Sequence, residues 1–258
     1  MKGEIPTFFF TFTSYNYYIE FTLLMNYLIL LVALLPVAIL VYYIYHKDKK
    51  SPEPTSQLVK AFLLGVLSAP LSFCISIPLA LIGAYPVEPI NILGSVSYSF
   101  LGAAVPEEIA KFFILWLLLR RNRYFDEKMD GIVYAVCVSL GFAALENVIY
   151  LFSNADAYLS IGIGRAIFSV PGHFCFGILM GYYYSLAKFY PMACWKNKAL
   201  VLIAPIIVHG IYNSILFVMN VSPAISGILL VVFLAFCHKM WKYGSMRIKE
   251  HLQRDGIF

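Results

Sequence analysis

Charged residues are scarce in this sequence: 13% of its positions are Asp, Glu, Lys or Arg, while 61% are hydrophobic. That balance excludes an ordinary soluble domain and places the chain among multi-span membrane proteins. Cysteines are few and odd in number, and Cys74, Cys137, Cys175, Cys194 and Cys237 show no metal-type spacing. Neither a disulfide framework nor a zinc ribbon is expected from them. Internal repeats, low-complexity tracts and short alternating strands are missing as well. The N-terminus has no basic n-region and no small-residue cleavage site, so it does not read as a secretory signal. The net charge of +5 does not mark a nucleic-acid surface, because the basic residues collect at the ends of apolar runs.

What is abundant is long apolar sequence. A helix needs roughly 20 apolar residues to cross a hydrocarbon core of ~30 Å, and about seven runs qualify: 25 to 45, 61 to 84, 95 to 119, 131 to 152, 161 to 187, 199 to 219 and 224 to 241. Backbone groups have no water to bond within lipid, so the expected fold is an all-α, polytopic helical bundle in the cell membrane. The segment 1–24, rich in Phe and Tyr, reads either as an interfacial segment or as an extension ahead of a start at Met25. Residues 25–241 form a single membrane-embedded domain in this reading, and 242–258 a basic cytoplasmic tail.

Orientation follows from the basic residues. Lys47, Lys49, Lys50 and Lys60 follow the first run, Arg120, Arg121, Arg123 and Lys128 the third, and Lys188, Lys196 and Lys198 the fifth. Lys239, Lys242, Arg247, Lys249 and Arg254 lie at the C-terminal end, and the loops after runs two, four and six hold no Lys or Arg. Basic loops stay cytoplasmic, so the N-terminus is expected outside and the C-terminus inside. Among the 19 basic residues, Lys2, Lys111 and Arg165 alone stand apart from this pattern. Arg165, about one turn from the outer boundary, reads as a side chain snorkelling to the surface.

The few ionisable groups inside spans are costly, by about 2.5–3.5 kcal/mol each at the bilayer centre on insertion scales, and mark function by default. "AAVPEEIAKFF" carries Glu107, Glu108 and Lys111, "GFAALENVIY" carries Glu146, "SVPGHFCFG" carries His173, and "VHGIYNSIL" carries His209 and Asn213. At ~1.5 Å rise per residue, Glu107, His173 and His209 each fall about 15 to 20 Å into their spans, with Glu146 slightly nearer the outer face. Lys111 follows Glu107 by four residues and Glu108 by three, so it can pair with either. Pro106 removes a backbone N–H just before them and is expected to kink the span. The glycines at 141, 177 and 181 read as close-packing positions. Three carboxylates against one lysine leave an excess of negative charge, which calls for a bound cation, a proton or Arg165.

Taken together, Glu107-Glu108-x-x-Lys111, Asp130-Gly131 at the start of the fourth span, Phe142-x-x-x-Glu146-Asn147, His173, and His209-Gly210-x-x-Asn213 resemble the PrsW family of membrane-embedded proteases, which is related to the CAAX prenyl endopeptidases. The likeness covers residues 95 to 219. It implies hydrolysis of a peptide bond in or next to the membrane segment of another membrane protein, and by its namesake activity the first cut of an anti-sigma factor. A prenyl endopeptidase would carry arginine at position 112 and histidine at 146, where this sequence has Phe112 and Glu146.

The residues leave two mechanisms open. In one, Glu146, His173 and His209 hold Zn²⁺ and Glu107 is the general base, with Glu108 and Lys111 setting its charge; in the other, no metal takes part, Glu107 and His173 activate water, and His209 with Asn213 binds the oxyanion. There is no H-E-x-x-H helix to decide between them. A transporter or proton relay using the same buried charges is the alternative function.

Overall fold

Apolar runs that cannot bond to water close their backbone hydrogen bonds internally, and the chain does so as helix. The computed structural model describes residues 7–190 and 194–256, and among them there is no strand. In order the elements are α1 (Thr7–Lys47), α2 (Thr55–Leu81), α3 (Ile92–Ser97), a π-helical turn (Tyr98–Ala104), α4 (Val105–Leu119) and α5 (Lys128–Ser153). A short 3-10 turn leads to α6 (Tyr158–Gly164), a second π-helical turn (Arg165–Ser169), α7 (Val170–Phe189), α8 (Cys194–Val221) and α9 (Pro223–Arg254).

Among the described residues, six helical stretches are long and apolar enough to cross a membrane: Thr22–Lys47, Thr55–Leu81, Lys128–Ser153, Ala155–Phe189, Trp195–Val221 and Pro223–Arg254. The remaining expected span, 95 to 119, is helical without a gap from Ile92 to Leu119. Its apolarity is lowered by Glu107, Glu108 and Lys111, and a π turn divides it. The protein is a multi-pass membrane protein. Of the segment 1–24, residues 1–6 and most of the aromatic side chains that suggested an interfacial role lie outside the described residues. The basic segment that begins at 242 continues α9 as helix to Arg254, with Ile248, His251 and Leu252 buried and Tyr182 of α7 stacked on His251.

α5 is the central post. Of its most apolar window 78% is buried, against 6% for α9, and α7, α2 and α1 pack around it. In the bilayer little drives helices together except close packing, which small residues permit. A Cβ on Gly181 would stand 2.2 Å from the carbonyl oxygen of Gly131, and one on Gly141 2.1 Å from that of Phe62. Those contacts bring α7 and α2 against α5 nearly backbone to backbone. On the outside, Leu31, Leu35 and Ile39 of α1 and Val231 and Leu234 of α9 are exposed, the surface that acyl chains rather than water would cover.

The basic loops gather at one end. Glu53 accepts from Tyr134 at the start of α5, Lys128 pairs with Asp255, and Lys188 donates to the Phe125 carbonyl. The start of α5 is built by reciprocal capping. Asp130 accepts from the backbone N–H of Glu127 at 2.7 Å, and the Glu127 side chain accepts from that of Asp130. Asp130-Gly131 thus has a local explanation: the aspartate caps α5, and the glycine leaves room for α7.

Candidate active site

Both helices that enter the site from a π turn share one local device. Val105 donates its N–H to Phe100 and Val170 donates to Arg165, each five residues back. The residue after each valine is proline, Pro106 or Pro171, which has no N–H to continue the ladder. The wide turn is accommodated there, and such turns recur at functional sites. Immediately beyond stand Glu107 and Glu108 on α4, and His173 on α7.

Lys111 is the hub. Its Nζ donates to Glu108 Oε1 at 2.8 Å, lies 3.6 Å from Glu107 Oε2, meets His173 Nδ1 at 3.1 Å and sits 4.1 Å from the centre of the Phe142 ring. Phe142 therefore covers the ammonium, which accounts for its place one turn before Glu146. An ammonium can only donate, so His173 accepts at Nδ1 and presents its N–H at Nε2, where Glu146 Oε2 receives it at 2.9 Å. His209 takes the opposite tautomer. Its Nδ1 donates to Glu108 Oε1 at 2.9 Å, leaving a lone pair on Nε2, which faces Asn213 Nδ2 at 3.2 Å and Glu107 Oε2 at 3.9 Å. The two imidazoles meet edge to face at 5.5 Å, and Phe176 stacks on His209 at 4.5 Å.

All seven sequence-predicted residues thus converge, and burial separates their positions. Glu108 and Lys111 are sealed, with side chains 0% and 1% exposed. Glu107 and Glu146 are 14% and 23% exposed and line a cavity of about 930 Å³ together with His173, His209, Asn213 and Arg165. The geometry sets Glu107 in front and Glu108 behind.

Arg165 is the residue that sequence reasoning placed elsewhere. It does not snorkel: Nη2 donates to Glu146 Oε2 at 2.7 Å and Nε to Asn147 Oδ1 at 2.6 Å, with Tyr150 beneath the guanidinium. Asn147 in turn donates to the Ala33 carbonyl of α1 at 3.0 Å. The signal in the sequence was the unbalanced charge. With Arg165 counted, Glu107, Glu108 and Glu146 face two cations, and one negative charge remains uncompensated.

One ligand-capable atom from each of Glu107, Glu146 and His173 lies within 4.8 Å of the others. His209, counted among the ligands on sequence grounds, stands just beside this trio, with Nδ1 held by Glu108 and Nε2 toward Asn213 and Glu107. Two carboxylates and the negative charge suit a metal ion, and His173, whose Nδ1 accepts from Lys111, would join them as a ligand on giving up its Nε2 proton. Glu107 Oε2 is buried without a hydrogen-bond partner, the residual charge is negative, and the carboxylate–imidazole pair of Glu108 and His209 is of the kind that orients metal-site histidines.

Comparisons with known proteins identify the family. A family profile described as PrsW family intramembrane metalloprotease matches residues 53–238. The chain belongs to the PrsW family. Among curated relatives, Protease PrsW of Clostridioides difficile is 34% identical over 87% of this chain and 92% of its own length. Protease PrsW of Oceanobacillus iheyensis is 38% identical over 73% and 82%, and that of Bacillus subtilis 35% over 82% and 89%. No solved structure matches. Family membership makes the chain an intramembrane protease, and the transporter alternative loses its support.

Proposed function

We propose that this PrsW-family protease cuts a peptide bond in or next to the membrane-spanning segment of another membrane protein, and that an anti-sigma factor is the substrate. The observation that carries the reading is Glu107: a cavity-facing carboxylate with an unpartnered oxygen, set among a second carboxylate and two imidazoles. The anti-sigma substrate is carried over from the namesake activity of the family.

Hydrolysis adds hydroxide to the carbonyl carbon and a proton to the leaving nitrogen. Glu107 Oε2 takes the proton of the attacking water. His209, with Nδ1–H held by the sealed carboxylate of Glu108, offers its Nε2 lone pair 3.9 Å from Glu107 and carries that proton toward the leaving amine. The Asn213 amide donates to the developing oxyanion. Lys111 balances the carboxylates from behind, and Arg165 holds Glu146 in place. Glu146 and His173, with His209 beside them, would hold a divalent metal and leave Glu107 free as the base; zinc is favoured on the strength of the imidazole and carboxylate donors, and such an ion would polarise the scissile carbonyl and acidify a water.

Co-expression with tagged single-span membrane proteins tests the proposal. Glu107→Gln is expected to lower cleavage by about 10²–10⁴-fold, the usual worth of a general base, while the variant still accumulates in the membrane. Normal cleavage by that variant would remove Glu107 from the mechanism. Metal analysis of the purified protein, followed by chelation and add-back of Zn²⁺, is expected to show loss and recovery of activity; full activity in metal-free protein would leave the metal-free mechanism.

A further inference from the structure

A second acidic cluster lies at the basic end of the bundle, far from the catalytic cavity. Carboxylate oxygens of Asp48, Glu127 and Asp130 all fall within 4.8 Å of one another, and Glu53 and Asp126 form an adjoining trio with Asp130. Asp48 stands at the turn after α1, while Glu127 and Asp130 cap α5. Sixteen residues of α5 separate Asp130 from Glu146, so the two centres are about 24 Å apart at ~1.5 Å per residue.

Most polar atoms here have partners. Asp130 Oδ2 accepts from the N–H groups of Asp126 and Glu127, Glu53 accepts from Tyr134, and Asp255 accepts from the backbone of Lys128 and Met129. The Lys128 ammonium is engaged by Asp255 at 2.8 Å. Asp48 is the exception: it is 1% exposed, and neither Oδ1 nor Oδ2 has a hydrogen-bond partner. Glu127 Oε2 is buried and unpartnered as well. Three bare carboxylate oxygens in one enclosed spot are costly to leave unmatched.

We propose that Asp48, Glu127 and Asp130 bind a hard divalent cation, Ca²⁺ or Mg²⁺, in a second metal site separate from catalysis. The donors are all oxygen, with no imidazole or thiolate, which suits these ions rather than zinc. Oxygens about 2.3–2.6 Å from a Ca²⁺ ion lie no more than about 5 Å from one another, which matches the spacing of the trio. The bound cation ties the turn after α1 to the start of α5, the helix that carries Glu146 to the active site. A chelator would then act on this protein twice, at the catalytic centre and at this clamp.

The test uses the full chain, purified in detergent, stripped with a chelator and dialysed. Adding Ca²⁺ or Mg²⁺ is expected to raise the thermal midpoint by several degrees, since a ligand that binds only the folded state stabilises it. The shift is expected to persist in Glu146→Gln and to disappear in Asp48→Asn and in Glu127→Gln. Tb³⁺ luminescence excited through tyrosine, with Tyr134 beside the cluster, gives a second readout that should follow the same pattern. As a check that needs no change to the cluster, the Glu107→Gln, Glu146→Gln double variant should still bind one Ca²⁺ or Mg²⁺ per chain. No cation-dependent shift in the wild type, a shift lost in Glu146→Gln but kept in Asp48→Asn, or no cation bound by the double variant would each overturn the proposal.

Discussion

The guanidinium of Arg165 illustrates how a single charge is made tolerable within a membrane protein. Its forked donors meet Glu146 and Asn147 at 2.7 and 2.6 Å, so the charge is neutralised and its geometry held at the same time. Because it grips Glu146, its part in the proposed mechanism is that of a positioning residue. Arg165→Gln is expected to reduce cleavage about 10–100-fold, the usual cost of losing a partner that orients a catalytic or ligating group. Arg165→Lys should recover only part of the rate, because an ammonium keeps the charge but not the fork. Cleavage rates measured on reconstituted protein check this; equal rates for wild type and Arg165→Gln would mean that Glu146 is positioned without it. Glu107 and Glu108 make a parallel point. Their neighbouring positions are about 100° apart on the helix, and that rotation separates a carboxylate facing the cavity from one enclosed behind it.

At the scale of elements, the site depends on how closely α7 and α2 approach α5. His173 and Glu146 sit on facing helices, and Ser139 Oγ donates to the His173 carbonyl at 2.6 Å, a bond that needs the backbones near each other. Gly181→Val would drive a Cβ to within 2.2 Å of the Gly131 oxygen and 2.6 Å of the Ile132 Cα, so α7 would have to move away from α5. A loss of at least about 1–3 kcal/mol is expected, seen as a lower thermal midpoint in detergent and a matching loss of activity as His173 leaves Glu146. Gly164 is the control, since a Cβ there meets nothing within 4 Å. Gly164→Ala should be neutral or stabilising by about 0.5–1 kcal/mol. A midpoint unchanged in Gly181→Val would show that the α5–α7 contact yields more easily than its geometry implies.

For the whole molecule, the arrangement of loops makes orientation testable. The turn after α1, the loop before α5, the end of α7 and the end of α9 share one end of the bundle, and the positive-inside rule leads us to expect that end in the cytoplasm. A membrane-impermeant thiol reagent should label Glu88→Cys in intact cells and Asn122→Cys only after permeabilisation, in a background without exposed cysteine. The reverse pattern would invert the topology and put the acidic cation cluster on the outer face.

Sequence by itself determined the helical bundle and the layer in which the charges meet. Hydropathy and the constant rise of a helix supply a coordinate along the membrane normal, and that coordinate suffices to put Glu107, Glu146, His173 and His209 at a common depth. Rotation about each axis and the choice of neighbour were left to the tertiary structure. A π turn inserts a residue and turns everything after it by roughly 100°, so the facing of Glu107, Glu108 and His173 could not be read from spacing in α4 and α7 alone. The contact of Arg165 with Glu146 and the meeting of Asp48 with Glu127 likewise join segments far apart in the chain. Only packing around α5 brings them together, because the glycines that allow it specify closeness without specifying which polar side chains come to share the space.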